Sequence, residues 1–510
     1  MTPAIPGAAH TEPVTEPVTE PVTERVIVLV WDGMRPDFVT EELTPHLCAL
    51  ARDGSRYRRA TGVFPSVTRP TTSSVSTGTY PATHGVIGNL FIGPPGDRAA
   101  LDTGDRTALE RLRAINGGRM LPVQTLAEAV AASGKRMVVL GSGTTGQAPL
   151  LDPEHAGTTI HVSFTQPDAL MATLTARFGP PPAKSIPVNP TNDWLNRVLI
   201  EYVLPDLAPD VAIMWQCEPD ASQHAVGLGA PATLAAIRGN DARLGELLAA
   251  IAASGAPTTV IVASDHGHNT VTGMVRTKEG LADAGFAEDL IEGRIMVAEQ
   301  AITIEPGPHA AELRAAVGAW LGAQPWVGAL IAWEPDGAPE GALPPSAIYG
   351  PRERAGFPHA PTFTFSHAWD AAPNEYGAPG SANAGFVESM ADFARLQGAI
   401  VGLNRLTATH GTLSPYDQNT VLILGGARIR PGEPDLPAGV IDLAPTVLAL
   451  LGLPPLPDAD GRALTESFTD GPEATTIAVT TTAAATLPSG TLLRHMVGDT
   501  AYIDTGLPRR

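Results

Sequence analysis

Two cysteines in 510 residues, Cys48 and Cys217, are too few for a disulfide framework or for a zinc site built on several thiolates. Any metal site in this chain must therefore be made from His and Asp. Lysine is almost as scarce: Lys135, Lys184 and Lys278 are the three in the chain, and nearly all of the positive charge is arginine. The net charge of −20 excludes a general surface for nucleic-acid polymers, which are attracted by clustered cations. An anionic substrate needs local cations instead. No run of about 18 apolar residues occurs, and the N-terminus lacks the basic start and apolar stretch of a secretory signal. The expectation is a cytoplasmic protein that does not enter a membrane.

What remains is an ordinary folding composition, 43% hydrophobic and 17% charged. The length exceeds what one simple core needs, which predicts a main domain carrying a substantial insertion. Residues 1–24 contain the TEPV repeats from Thr11 to Val22, acidic, rich in proline and without an apolar face, and read as a disordered leader. Short apolar runs follow at Val26–Val30, Met137–Leu140, Val211–Trp215, Val260–Ala263 and Val421–Leu424, each the length of a strand covered on both faces. Between them lie helical patterns. Ala232–Ala253 is the clearest, with Leu234, Ile237, Leu244, Leu247, Leu248 and Ile251 at helical spacing, Pro231 before it and Gly255 after it.

Strands alternating with helices predict an α/β sandwich with a largely parallel central sheet flanked by helices. Weaker periodicity with many Pro and Gly residues marks 271–400 as an inserted cap. The catalytic core would then comprise 25–270 and 401–510. The Thr-rich stretch from about Thr475 onward is β-prone and is expected to supply edge strands that close the sheet.

In open parallel sheets, functional groups collect beyond the carboxyl ends of the strands. Asp32 follows the first run; Glu218, Asp220 and His224 follow the run ending at Trp215; Asp265 and His266 follow Val260–Ala263. Singly, each is an ordinary cap or turn residue. Together, three groups on three strands must converge on one rim. Two divalent cations about 4 Å apart need roughly six to eight ligands, and zinc takes imidazole and carboxylate where thiolates are absent. A hydroxyl stands in context as well: Thr68, between Phe64-Pro65-Ser66-Val67 and Arg69-Pro70. Metal coordination is one way to activate such a poor nucleophile.

The order VIVLVWDGMRPD, FPSVTRPTTSSVSTGTYPATHGVIGN, EPDASQH, SDHGH and THG resembles the motif series of type I phosphodiesterases and nucleotide pyrophosphatases, in the alkaline phosphatase superfamily. The likeness runs from Val26 to about Arg462. It implies an alkaline-phosphatase-like fold and two divalent metal ions, zinc by preference. Asp32, Asp265, His266 and the Thr68 oxygen would hold one metal; Asp220, His224 and His410 would hold the other. Thr68 would be the nucleophile, and Asn89 would bind a phosphoryl oxygen alongside the backbone N–H of Arg69.

The chain departs from the pattern at Thr71-Thr72, where an Asn-His pair is common, and at Arg69, where an apolar residue is common. Arg69 is a candidate substrate-binding residue, with its side chain either over the phosphoryl oxygens or turned to solvent. His84, His268 and His367 lie near the motifs but are expected to be structural or supporting. Trp369, Asn374, Glu375 and Tyr376 are expected to form a packed cap loop rather than a leaving-group pocket.

The implied partner is a small phosphorylated substrate, cleaved at a phosphodiester or nucleotide pyrophosphate bond through a phosphothreonine. The rival readings are a phosphonoacetate-hydrolase-like enzyme cutting a C–P bond, a phosphomonoesterase, and a noncatalytic metal-binding relative. The sequence carries no indication of oligomeric state.

Overall fold

The computed structural model describes residues 24–334, 336–350, 359–385, 407–487 and 490–505. The TEPV repeats and two parts of the expected cap, 351–358 and 386–400, lie outside the described residues.

Eight strands form the central sheet: β1 (Arg25–Trp31), β2 (Ser55–Arg56), β3 (Met137–Gly141), β4 (Thr158–His161), β5 (Phe164–Gln166), β6 (Val211–Gln216), β7 (Thr258–Ala263) and β8 (Leu422–Gly425). Their spatial order is β2-β8-β7-β1-β6-β3-β4-β5. The five strands from β7 to β4 are parallel, and the remaining pairings toward both edges are antiparallel. All five predicted runs are strands of this sheet.

The continuous apolar runs are explained by burial on both faces. In β1, Val26, Val28 and Val30 enter one hydrophobic cluster, while Ile27, Leu29 and Trp31 enter another across the sheet. In β6, Val211, Ile213 and Trp215 alternate in the same way with Ala212 and Met214. A charge in either strand would lose its water on whichever side it pointed.

Three helices position the chemistry: α1 (Thr68–Thr77), α2 (Asp220–Val226) and α3 (Pro231–Ser254). In α3, Pro231 stands in the first turn and Gly255 closes the helix at φ +64, the left-handed value that a residue with a Cβ reaches only with strain. Ile237, Leu244 and Leu247 of its predicted stripe are fully buried against the sheet. Helix α1 has a weak helical sequence, TRPTTSSVST, yet every residue in it is buried. Its hydroxyls bond back to the preceding turn, Thr72 Oγ1 to Thr68 O at 2.7 Å and Ser73 Oγ to Arg69 O at 3.0 Å. Pro70 is tolerated because the first turn has no N–H acceptor to lose.

Within the range expected to be a cap, strands 295–298, 301–304, 363–367 and 327–332 form a separate antiparallel sheet with its own core, including Ile295, Ile302, Phe363 and Phe365. Asn269–Val275 pairs with both Ser381–Gly385 and Ala408–Thr409, which brings the chain before and after this range together. The C-terminal stretch departs from expectation. Strands 479–487, 490–497 and 500–504 build a three-stranded antiparallel sheet of their own, while the edges of the central sheet are taken by β2 and β5. Its long local hairpins satisfy their backbone groups without joining the main sheet. No described helix is long and apolar enough to cross a membrane.

Candidate metal centre and nucleophile

Because β1, β6 and β7 run parallel, the residues after them emerge at one rim. Asp32 follows β1, Asp220 opens α2 after β6, and Asp265 and His266 follow β7. Helix α1 brings its N-terminus, and so Thr68, to the same place.

Asp32, Asp265 and His266 form one group, all buried. His266 Nε2 lies 3.1 Å from Asp265 Oδ2 and 3.5 Å from both Asp32 Oδ1 and Thr68 Oγ1. The other carboxylate oxygens are already engaged: Asp32 Oδ2 accepts from Trp215 Nε1 at 2.9 Å, and Asp265 Oδ1 accepts from Gly33 N at 2.9 Å. Asp32 Oδ1 and Asp265 Oδ2 are left buried with no hydrogen-bond partner. Burial, and then repulsion from Asp265 and Asp220, hold the Asp32 carboxyl well above the ordinary range. The charge of Asp265 lifts His266 against the cost of its burial. Two orphaned carboxylate oxygens beside an imidazole fit a cation.

The second group is built on Asp220. Its Oδ1 lies 3.3 Å from His224 Nε2, 3.4 Å from His410 Nε2 and 2.8 Å from His268 Nε2. His224 Nδ1 donates to Ala408 O and His410 Nδ1 donates to Ser66 O, each at 2.8 Å. Both Nε2 atoms are thereby left as lone pairs facing the carboxylate, the tautomer a metal ligand requires. His268 differs: its Nδ1 is buried without a partner, so Nε2 carries the proton and donates it to Asp220. Burial drives His268 down to about 3.

The structure thus brings together Asp32, Thr68, Asp220, His224, Asp265, His266 and His410, and it places His268 against Asp220. His84 and His367 lie elsewhere; His84 Nε2 pairs with Ser74 Oγ at 3.0 Å, and His367 sits in the cap sheet. The segment Trp369–Tyr376 does not line the cleft. Asn374 Nδ2 donates to Leu228 O, and Tyr376 is exposed. Glu218, read with Asp220, is fully buried and ties two segments together, accepting from Val188 N at 2.6 Å and from Ser222.

A cleft of about 410 Å³ opens in front of these groups, lined by Thr68, Arg69, Asn89, Asp32, Asp220, His224 and His410 among others. Asn89 Oδ1 accepts from Arg69 N at 3.1 Å. That N–H is therefore spent on Asn89 and does not point freely to a phosphoryl oxygen; the Asn89 Nδ2 is the donor left for the cleft. Arg69 is 7% exposed as a residue and lines the cleft rather than turning out to solvent.

Sequence reasoning missed two contributors from the hairpin of strands 295–298 and 301–304. Glu299 Oε2 accepts from Asn89 N at 3.0 Å, and Gln300, with its amide oriented for bonding, donates to Gly411 O at 2.7 Å. These are the two residues between the paired strands, Ala298 facing Ala301. A two-residue turn between β-prone runs was the available signal, but nothing in it pointed to Asn89 or His410.

The chain belongs to the type I phosphodiesterase / nucleotide pyrophosphatase family, whose model matches residues 26–319. Curated relatives match in short segments. An uncharacterized pyrophosphatase/phosphodiesterase of Schizosaccharomyces pombe is 38% identical over 69 residues, 14% of this chain and 14% of that protein. The human ectonucleotide pyrophosphatase/phosphodiesterase family member 7 is 34% identical over 67 residues, 13% of this chain and 15% of that protein. Among solved structures, murine ectonucleotide pyrophosphatase/phosphodiesterase 5 superposes with a TM-score of 0.58 at 15% identity, covering 88% of this chain and 100% of that one. A mutant of the alkaline phosphatase PafA superposes at 0.60 with 14% identity and the same coverage. The fold is therefore similar to that of this phosphodiesterase and this alkaline phosphatase.

Proposed function

We propose that this protein hydrolyses phosphodiester or nucleotide pyrophosphate bonds of small phosphorylated molecules through a phosphothreonine on Thr68. The observation that carries the reading is the position of Thr68 Oγ1, 3.5 Å from His266 Nε2 at the N-terminus of α1, on the wall of a cleft that both His/Asp groups face.

The donor sets suit two divalent ions, and a borderline metal such as zinc matches their mixed imidazole and carboxylate character. Asp32, Asp265, His266 and Thr68 would hold one, and Asp220, His224 and His410 the other. Bound there, such ions supply positive charge to the phosphoryl oxygens and lower the pKa of a hydroxyl or water.

The Thr68 oxygen attacks phosphorus in line, the Oγ–P bond forms, and the ester or anhydride oxygen departs with its bonding pair. Water then cleaves the Oγ–P bond, restoring the hydroxyl and releasing the phosphorylated product. Asn89, fixed by the Arg69 amide at its Oδ1, donates through Nδ2 to a phosphoryl oxygen as charge builds. The open end of α1 adds the positive end of its dipole.

Asn89 is a neutral amide, and that favours a singly charged diester over a monoester dianion, which calls for an added cation at the reacting phosphoryl. An inactive form of murine ectonucleotide pyrophosphatase/phosphodiesterase 5 binds AMP, in keeping with a small phosphorylated ligand. The test is kcat/KM on p-nitrophenyl esters with one leaving group: a phosphodiester, a phosphomonoester and a sulfate, with phosphonoacetate assayed separately. The diester is expected to be the best substrate. A faster monoester, or cleavage of phosphonoacetate alone, would overturn the assignment.

A further inference from the structure

Arg69 directly follows Thr68 and lines the cleft, buried. The residue is 7% exposed, its Nε is buried without a partner, and among the described residues its side chain makes no hydrogen bond or ion pair. Two carboxylates stand nearby without a direct ion pair to it: Asp102 Oδ1 accepts from Gly104 N at 2.8 Å, and Glu299, which feels the Arg69 charge, accepts from Asn89 N through Oε2. A buried guanidinium whose N–H donors are unfilled is costly, and a ligand that brings an anionic acceptor lowers that cost.

The surroundings of the guanidinium indicate where such a ligand would sit. A methyl group added at Gly104 would lie 3.6 Å from both Arg69 Nη2 and Thr144 Cβ and 3.0 Å from Asp102 Oδ1, so the guanidinium and Thr144 flank the same glycine with the Asp102 carboxylate beside them. The Thr144 hydroxyl is also buried without a partner. On the adjoining residue, Gly143 O accepts from Lys184 Nζ at 3.2 Å, which holds one of the chain's three lysines at the same wall. Arg69, Thr144 and Lys184 all line the cleft that contains Thr68. Two cations and a hydroxyl without a partner thus share the lining of the cleft that holds the nucleophile, in a chain whose net charge is −20.

We propose that Arg69, Thr144 and Lys184 form a subsite for a second anionic group on the substrate, a carboxylate or phosphoryl group carried next to the scissile phosphoryl. The proposal rests on the reading of Thr68 as the nucleophile of a diesterase. Guanidinium is suited to either anion, because its fork of N–H donors matches two oxygens at once. Placed beside the group attached to the reacting phosphoryl, the cation would select the substrate by what that group carries.

Three p-nitrophenyl phosphodiesters test this, with methyl, carboxymethyl or phosphonomethyl as the second ester group. At low ionic strength at least one of the two anionic diesters should exceed the methyl diester by about tenfold in kcat/KM, chiefly through KM. Which of them does so identifies the group as carboxylate or phosphoryl. Arg69→Met should bring the ratio close to one, and Lys184→Met, at an exposed position, should reduce it without endangering the fold. If Arg69→Met does not fold, Lys184→Met decides alone. A methyl diester cleaved as well as both anionic ones, or a ratio unchanged in Lys184→Met, overturns the subsite and leaves the diesterase reading standing. No turnover of any diester by metal-replete protein overturns both.

Discussion

The Nε2 atoms of His224 and His410 face each other at 3.2 Å, while the Nδ1 atom of each is committed to a backbone carbonyl. Neither ring can turn its proton toward the other without breaking its own anchor. Two lone pairs beside the Asp220 carboxylate are stable together only when a positive charge lies between them.

Metal removal is accordingly expected to be costly. The purified protein should contain about two divalent ions per chain, and extracting them should abolish hydrolysis. Thermal unfolding should fall on the order of 5 °C or more, since ligands bound far above their Kd stabilise the fold by several kcal/mol. Metal analysis beside calorimetry checks this; full activity in a verified metal-free sample would contradict it.

His268 should matter for affinity rather than for the presence of the site. It donates to Asp220 at 2.8 Å, which orients the carboxylate. His268→Ala is expected to weaken metal binding about 10- to 100-fold, and His224→Ala, which deletes a direct donor, more than that. Competition with a chelator of known affinity measures both. Equal losses in the two variants would place His268 among the ligands.

Glu299 links the cap to the pH dependence of stability. Burial of its carboxyl raises it from 4.5 to about 7, against the pull of the Arg69 charge and the hydrogen bonds from Leu90 and Asn89. The folded protein then keeps a proton that the unfolded chain has already released. Stability is undiminished below about 4.5, declines as pH rises, and levels off above about 7. The residue keeps partial exposure at the cleft, so the loss is about 2 kcal/mol rather than the full value of the shift. Denaturant unfolding of wild type and Glu299→Gln from pH 4.5 to 7.5 should show a shallower decline in the variant. Parallel curves would show that Glu299 does not titrate in this range.

Much of the catalytic half was legible in the sequence, for a physical reason. A strand buried on both faces must be continuously apolar, and the first polar residue after it marks the rim, as Trp31-Asp32 and Ser264-Asp265 do. The pairing of His410 with His224 across 186 positions came instead from the resemblance, because no local pattern encodes it. The cap was poorly legible, since its sheet is antiparallel and made from short strands such as 301–304 whose partner at 363–367 is distant. Glu299 and Gln300 could not be found at all from a turn of two polar residues. The separate C-terminal sheet was misjudged because β-propensity indicates strands but not which edge they join. Arg69 was visible as a departure from the family pattern, and its burial came only with the fold.

The central claim is that Thr68 carries the phosphoryl group, and acid-quenched turnover followed by mass spectrometry of the Thr68 peptide tests it most directly. With a p-nitrophenyl diester and metal-replete enzyme, the account predicts a phosphorylated adduct on Thr68 during turnover, and Thr68→Ala that retains its metals but loses about 100-fold or more in rate. An unmodified peptide during rapid turnover, together with near wild-type rates in Thr68→Ala, would mean that water attacks phosphorus directly and would contradict the covalent mechanism.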